Sequence, residues 1–151
     1  MPGLGLLSAA PPIDGYVVSA AAVMVNGNTI FTVTGGPILI KTLVSVCVTA
    51  NNGTASTLQY SVTPTVGAGA QTISNASGSL ANAAPGASVS LHGTALTTAA
   101  THNVNGPNLG MTAPMFCPAG VITMVIGTGS TTGTWRHYIY YTALANGVTV
   151  S

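Results

Sequence analysis

Apolar and polar residues alternate with a period of two through much of this chain, and turn residues repeatedly interrupt the alternation. That period places successive side chains on opposite faces of a strand. "DGYVV" (14–18) is a short example, with Asp14 before Gly15 read as a turn residue. "AAVMV" (21–25) meets "TIFTVT" (29–34) across Asn26-Gly27-Asn28, a strong tight-turn signal. "ILIKTLVSVCVTA" (38–50) alternates from Val44 through Val46 to Val48, and "NNGT" (51–54) leads into "ASTLQYSVTP" (55–64). Residues 38–64 are therefore expected to form one long antiparallel hairpin. Residues 65–86 are small and polar, with a strand at "AQTIS". "ASVSLHGTAL" (87–96) alternates again, with His92 in mid-strand. Residues 97–113 read as a long surface loop holding His102. "VITMVIG" (121–127) is a short buried strand, turned by "TGSTTG" (128–133) into "TWRHYIYYTAL" (134–144), and "VTVS" ends the chain.

Nothing has the 3.6-residue period of an amphipathic helix, and Gly and Pro punctuate throughout. Eight to ten short strands with frequent turns predict an all-β fold: an antiparallel β-sandwich, jelly-roll-like. Residues 1–12 contain three Pro and no strand-length alternation. They are expected to be an extended N-terminal arm, leaving residues 13–151 as a single domain.

Composition sharpens the picture. Asp14, Lys41 and Arg136 are the only formally charged residues, 2% of 151, and the net charge is +1. Ordinary globular chains carry about 25%. Since 47% of residues are hydrophobic, low charge here does not signal disorder. It signals a surface of Ser, Thr, Asn, Gly and small apolar groups, suited to burial in an assembly. Two cations are too few to hold a nucleic-acid backbone or an anionic membrane. No apolar stretch reaches the ~20 residues of a spanning helix. "MPGLGLLSAAPP" lacks the basic start and apolar length of a secretory signal.

Candidate chemistry is sparse. There is no Glu, so paired carboxylates are impossible within one chain. No GxSxG elbow accompanies Asp14. His92, His102 and His137 are scattered, and Cys47 and Cys117 lie 70 positions apart. This gives no metal spacing, and the cysteines read as buried thiols or a single disulfide. No cofactor, metal or enzymatic activity is expected.

The closing segment concentrates what remains. "WRHYIYY" (135–141) holds the only Trp, the only Arg and three of five Tyr. On a strand, Trp135, His137, Ile139 and Tyr141 share one face, and Arg136, Tyr138, Tyr140 and Thr142 the other. The first set supplies candidate core anchors in Trp135, Ile139 and Tyr141. The second supplies a candidate interface in Arg136, Tyr138 and Tyr140, because Arg and aromatics are enriched in interfaces. A sugar-stacking face is the competing reading.

Four features carry a resemblance. They are the strand led by Gly36-Pro37, the turn from Pro64 to Gly67, the Pro118-Ala119-Gly120 entry to a buried strand, and the closing stretch from Tyr141 to Gly147. In residues 34–69 and 117–151 the chain resembles small β-rich virion structural proteins of tailed bacteriophages, of the capsid decoration (cement) type. The resemblance implies a protein made in the host cytoplasm and displayed on the capsid exterior. It would bind between subunits of the major capsid protein, often as a homotrimer, with no catalytic residues. Another virion component (head-fibre base, tail or receptor-binding tip) and a secreted carbohydrate-binding sandwich are the alternatives.

Overall fold

The computed structural model describes residues 12–67, 69–92, 95–103, 106, 111–128 and 131–151. The expected arm falls almost wholly outside them. Along the described residues run β1 (Ile13–Val18), β2 (Ala22–Val23), β3 (Thr29–Thr34), β4 (Ile38–Cys47), β5 (Thr57–Pro64) and β6 (Gln71–Thr72). They continue with β7 (Ser88–Ser90), β8 (Thr101–Asn103), β9 (Met115–Cys117), β10 (Gly120–Gly127), β11 (Thr134–Ala143) and β12 (Thr149–Val150). The fold is all-β, two antiparallel sheets packed as a sandwich. The larger sheet runs β1-β11-β4-β7-β8, with β2 also on β11 and β9 also on β4. The smaller runs β12-β3-β10-β5-β6.

The inward residues of both sheets form one core. Ile38, Ile40, Leu43, Trp135 and Ile139 come from the larger sheet, and Phe31, Leu58, Tyr60 and Ile122 from the smaller. Burial alternates along β10, and along β11 as far as Tyr141, as the sequence pattern requires; Thr142 and Ala143 are both buried. On β4 the alternation slips once. Tyr140 pairs with Thr42 and Tyr141 with Ile40, so Lys41 is an extra residue in the ladder. The bulge turns both Lys41 and Thr42 outward and returns Leu43 to the core.

The expected hairpins are corrected. β4 and β5 do not pair: β4 lies between β11 and β7 in the larger sheet, and β5 between β10 and β6 in the smaller. Both strands present an apolar face, and two such faces bury each other better across the sandwich than side by side. Asn26-Gly27 does turn the chain, with Gly27 at φ +83° and Asn28 N–H donating to Val25 O at 3.1 Å. Yet β2 joins β11 and β3 joins β10, so the turn is a corner between sheets. Likewise β10 and β11 are in different sheets. The strand read at 87–96 shortens to β7, leaving His92 beyond its end, and the expected loop at 97–113 contains β8 with His102.

Asp14 is no turn residue either. It sits within β1, opposite Thr142, and Gly15 lies opposite Tyr141. A Cβ at Gly15 would collide with the Tyr141 ring, which lies across the strand there. The Asp-Gly pair thus serves side-chain packing.

One buried side chain ties three crossing loops. Asn51 Nδ2 donates to Leu80 O at 2.9 Å, while its Oδ1 accepts the N–H groups of Thr132 and Gly133 at 2.9 and 3.1 Å. Its own N–H donates to Ala83 O at 2.9 Å. A Cβ at Gly133 would strike the carbonyl oxygen of Thr49 and come within 2.9 Å of Asn51 N. Gly133→Ala is therefore expected to lose about 1–3 kcal/mol of stability through overpacking against backbone, read as a shifted urea midpoint.

Candidate functional site

Residues directly opposite on paired strands share a face, so the registers define each sheet's outer surface. The larger sheet presents four rows. They are Asp14–Thr142–Leu39–Phe116, then Tyr16–Tyr140–Thr42, then Val18–Tyr138–Val44–Ser90, then Arg136–Val46–Ser88. All three formal charges of the chain stand on this face, with three of its five Tyr. Tyr16 is 61% exposed, Phe116 60% and Tyr140 38%. The rings of Tyr16 and Tyr138 pair at 6.4 Å between centroids. Arg136, Tyr138 and Tyr140, singled out from the sequence, are brought together here.

Asp14 organises one end of that face. Its Oδ1 accepts from Lys41 Nζ at 2.8 Å and from the Thr142 hydroxyl, and its Oδ2 accepts from the Tyr140 hydroxyl at 2.8 Å. Lys41 also lies 5.1 Å from the Tyr140 ring centroid. The hydrogen bond from Lys41, helped by those from Thr142 and Tyr140, holds the carboxyl well below the usual carboxylate range. The same bond raises Lys41, and the bond to Asp14 raises Tyr140. The β4 bulge makes this cluster possible, since it is what aims Lys41 outward. Strand alternation already put Thr142 on the face of Tyr140, whereas no sequence signal marked Lys41 as a member.

The smaller sheet's outer face is different. Its rows are Thr32–Val121–Thr63 and Thr29–Thr123–Ser61–Thr72, with Gln59 beside Val125 and Thr57 beside Gly127. Thr34 and Thr149 pair at the edge, their hydroxyls 2.7 Å apart. This surface carries neither formal charge nor aromatic ring.

Between the sheets runs a buried polar chain. His137 Nδ1 lies 2.7 Å from Ser45 Oγ, which lies 2.9 Å from the Tyr60 hydroxyl, which donates to Val89 O at 3.0 Å. The carbonyl fixes the order of protons. Tyr60 gives its hydrogen to Val89, so Ser45 gives its hydrogen to Tyr60, and His137 must donate from Nδ1 to Ser45. A serine nucleophile would need the reverse, donating to an imidazole acceptor. Ser45 is also fully buried. The pair is thus a pin that fixes Tyr60 of β5 onto the larger sheet. Burial lowers His137 to a pKa of about 4 and pushes the Tyr60 phenol far up.

Trp135 and Ile139 are fully buried, and Tyr141 is 9% exposed. Trp135 is therefore out of reach of any ligand. His92, His102 and His137 lie on separate elements, and among the described residues no three of His, Cys, Asp and Glu come together. Cys47 and Cys117 are buried free thiols. Cys117 pairs with Ile38, at the opposite end of β4 from Cys47, roughly 25–30 Å away at the rise of a strand. No disulfide spans that distance. Burial raises both thiols, Cys117 to about 11.

A cleft of about 380 Å³ opens between the sheet edges, lined by apolar groups including Ile73, Leu91, Leu96, Met115 and Phe116. Among the described residues its lining brings no polar side chain that would orient a small substrate.

The chain matches no protein-family model, no curated protein and no solved structure.

Proposed function

We propose that this chain is a virion structural protein that decorates and stiffens a phage capsid. It docks between major capsid subunits through the outer face of its larger sheet, as a homotrimer on the capsid exterior. The observation that carries the reading is the contrast between the two outer faces. One holds the Arg, the exposed Tyr and Phe side chains and apolar Val between them. The other holds mostly hydroxyls and amides, with Val121 and Val125 among them but no ring and no charge. A protein that lies on a shell needs that division, one face for contact and one for solvent. The contact face carries all three charges, but Lys41 and Asp14 already pair, so Arg136 is the one ion to be covered without a counter-charge of its own. Several linked contacts then raise occupancy by avidity.

The test is reconstitution. Particles assembled without this protein are mixed with it and sedimented, and the free protein is run alone. The expected result is saturable co-sedimentation, greater resistance of the particles to heat, and a trimer in free solution. A stable monomer that leaves the particles untouched would end this reading. The Tyr16–Tyr138 pair and the exposed Tyr140 support a second reading, a carbohydrate-binding sandwich, for which retention on a glycan array without particle binding would be the result.

A further inference from the structure

We infer that Arg136 receives a carboxylate from a partner protein, and that this partner is not a second copy of the chain. The inference rests on the decoration reading and names the chemistry of the partner's side.

The chain has one acidic side chain, Asp14, and two basic ones. Lys41 takes Asp14. Thr142 and Tyr140 occupy the carboxylate further, so both of its oxygens are engaged. Arg136 stands on the same face but six residues along β11 from Thr142, the residue opposite Asp14. At the rise of a strand that is about 20 Å. No acidic side chain of its own chain is within reach. Among the described residues Arg136 has no hydrogen bond or ion pair to a side chain.

The surroundings define what could meet it. Arg136 is half-buried, opposite Val46, with Tyr138 two positions along and Thr134 on the other side. A partner that covers Tyr138 and Val46 also covers the guanidinium. Covering it without a counter-charge is strongly unfavourable. The planar fork of Arg is matched by a carboxylate through two parallel hydrogen bonds. A second copy offers only Asp14, whose Oδ1 already accepts from Lys41 and Thr142, so the two-pronged bond of a guanidinium could form there only by displacing one of them. Nucleic acid would need a row of cations, and Arg136 is the only unpaired one. What fits is an Asp or Glu on a different protein, set in an apolar surround that packs on Tyr138 and Val46.

The experiment uses undecorated particles as the probe and three proteins: wild type, Arg136→Gln and Arg136→Lys. All should fold, since the side chain points away from the core, and thermal melts check this. Arg136→Gln is expected to bind about 30-fold more weakly or worse, as for an interface hot spot. Arg136→Lys keeps the charge and supplies a primary amine. A water-soluble carbodiimide should then couple that amine to the facing carboxylate. The adduct to a capsid subunit should be absent with Arg136→Gln, in which Lys41 is unchanged. If wild type binds and Arg136→Gln binds equally well, the inference is overturned while the decoration reading stands. Weaker binding of Arg136→Gln without an adduct from Arg136→Lys also overturns the carboxylate. If wild type does not bind, both fall. Should Arg136→Gln fail to fold, the presence or absence of the Arg136→Lys adduct decides alone.

Discussion

Trp135→Ala is expected to lower the unfolding free energy by about 3–5 kcal/mol. The indole is fully buried on the inner side of β11, with Cys47 of β4 on one flank and Ala22 of β2 on the other. Ala leaves a cavity the size of the ring, and two sheets with continuous ladders have little freedom to collapse into it. That loss is a large share of a domain stability of about 5–15 kcal/mol. Trp135→Phe sharpens the test. The indole N–H is buried with no partner among the described residues, and such a donor costs about 1–3 kcal/mol. Phe removes it while keeping most of the ring, so Trp135→Phe should lose much less than Trp135→Ala. Arg136→Gln, one residue on but facing outward, should leave the urea midpoint nearly unchanged. Equal losses from Trp135→Ala and Arg136→Gln would mean that β11 does not separate core from surface as described.

Acid should weaken the fold before any carboxylate matters. His137 has a folded pKa of about 4 against an ordinary 6.5, because burial penalises its charged form. Between those values the unfolded chain binds a proton that the folded chain does not, so stability rises with pH across the window and falls on acidification. The stability is complete above pH 6.5 and declines down to about pH 4, by a total of about 3 kcal/mol. His102, also lowered by burial, adds in the same direction. Asp14 is depressed from 3.8, so its contribution is lost only at lower pH. Urea titrations at pH 7, 6, 5 and 4 measure the slope. His137→Gln should be less stable at pH 7, where it disturbs the bond to Ser45, but much flatter with pH. An unchanged slope in that variant would show that His137 is not the titrating group.

The all-β sandwich and the two faces of β11 were legible because alternation reports which side chains go inward. It does not report which strand lies alongside. β4 and β5 carry the hairpin pattern and a plausible turn, yet each pairs elsewhere, since alternation marks Leu43 and Leu58 as inward without naming the strand alongside. The slip at Lys41 was invisible for a related reason. One extra residue leaves the local composition unchanged and alters only the phase, and the phase is fixed by the Tyr141–Ile40 pairing from a distant strand. Asp14 was misread because Asp-Gly is so often a turn. The ring of Tyr141, 126 positions further on, decides what Gly15 is for. His137 was visible as a residue at the edge of a core face, but its Ser45 and Tyr60 partners required the third dimension.

The strand order also sets how the chain comes together in time. Among the described residues only β5–β6 and β7–β8 pair sequence neighbours, and both ladders are short. β11 holds β1, β2 and β4 together, and β10 does the same for β3 and β5. Those two organising strands occupy the last third of the chain. During synthesis at roughly 5–20 residues per second, β1, β2 and β3 emerge with no partner, and β4 and β5 gain only the short strands β7, β9 and β6 before β10 and β11 follow. Both sheets then close at once, late, through contacts distant in sequence. Such topologies fold in milliseconds to seconds rather than microseconds. The vulnerable species is therefore the nascent chain with its apolar strands exposed, and its fate turns on how soon residues 120–143 arrive.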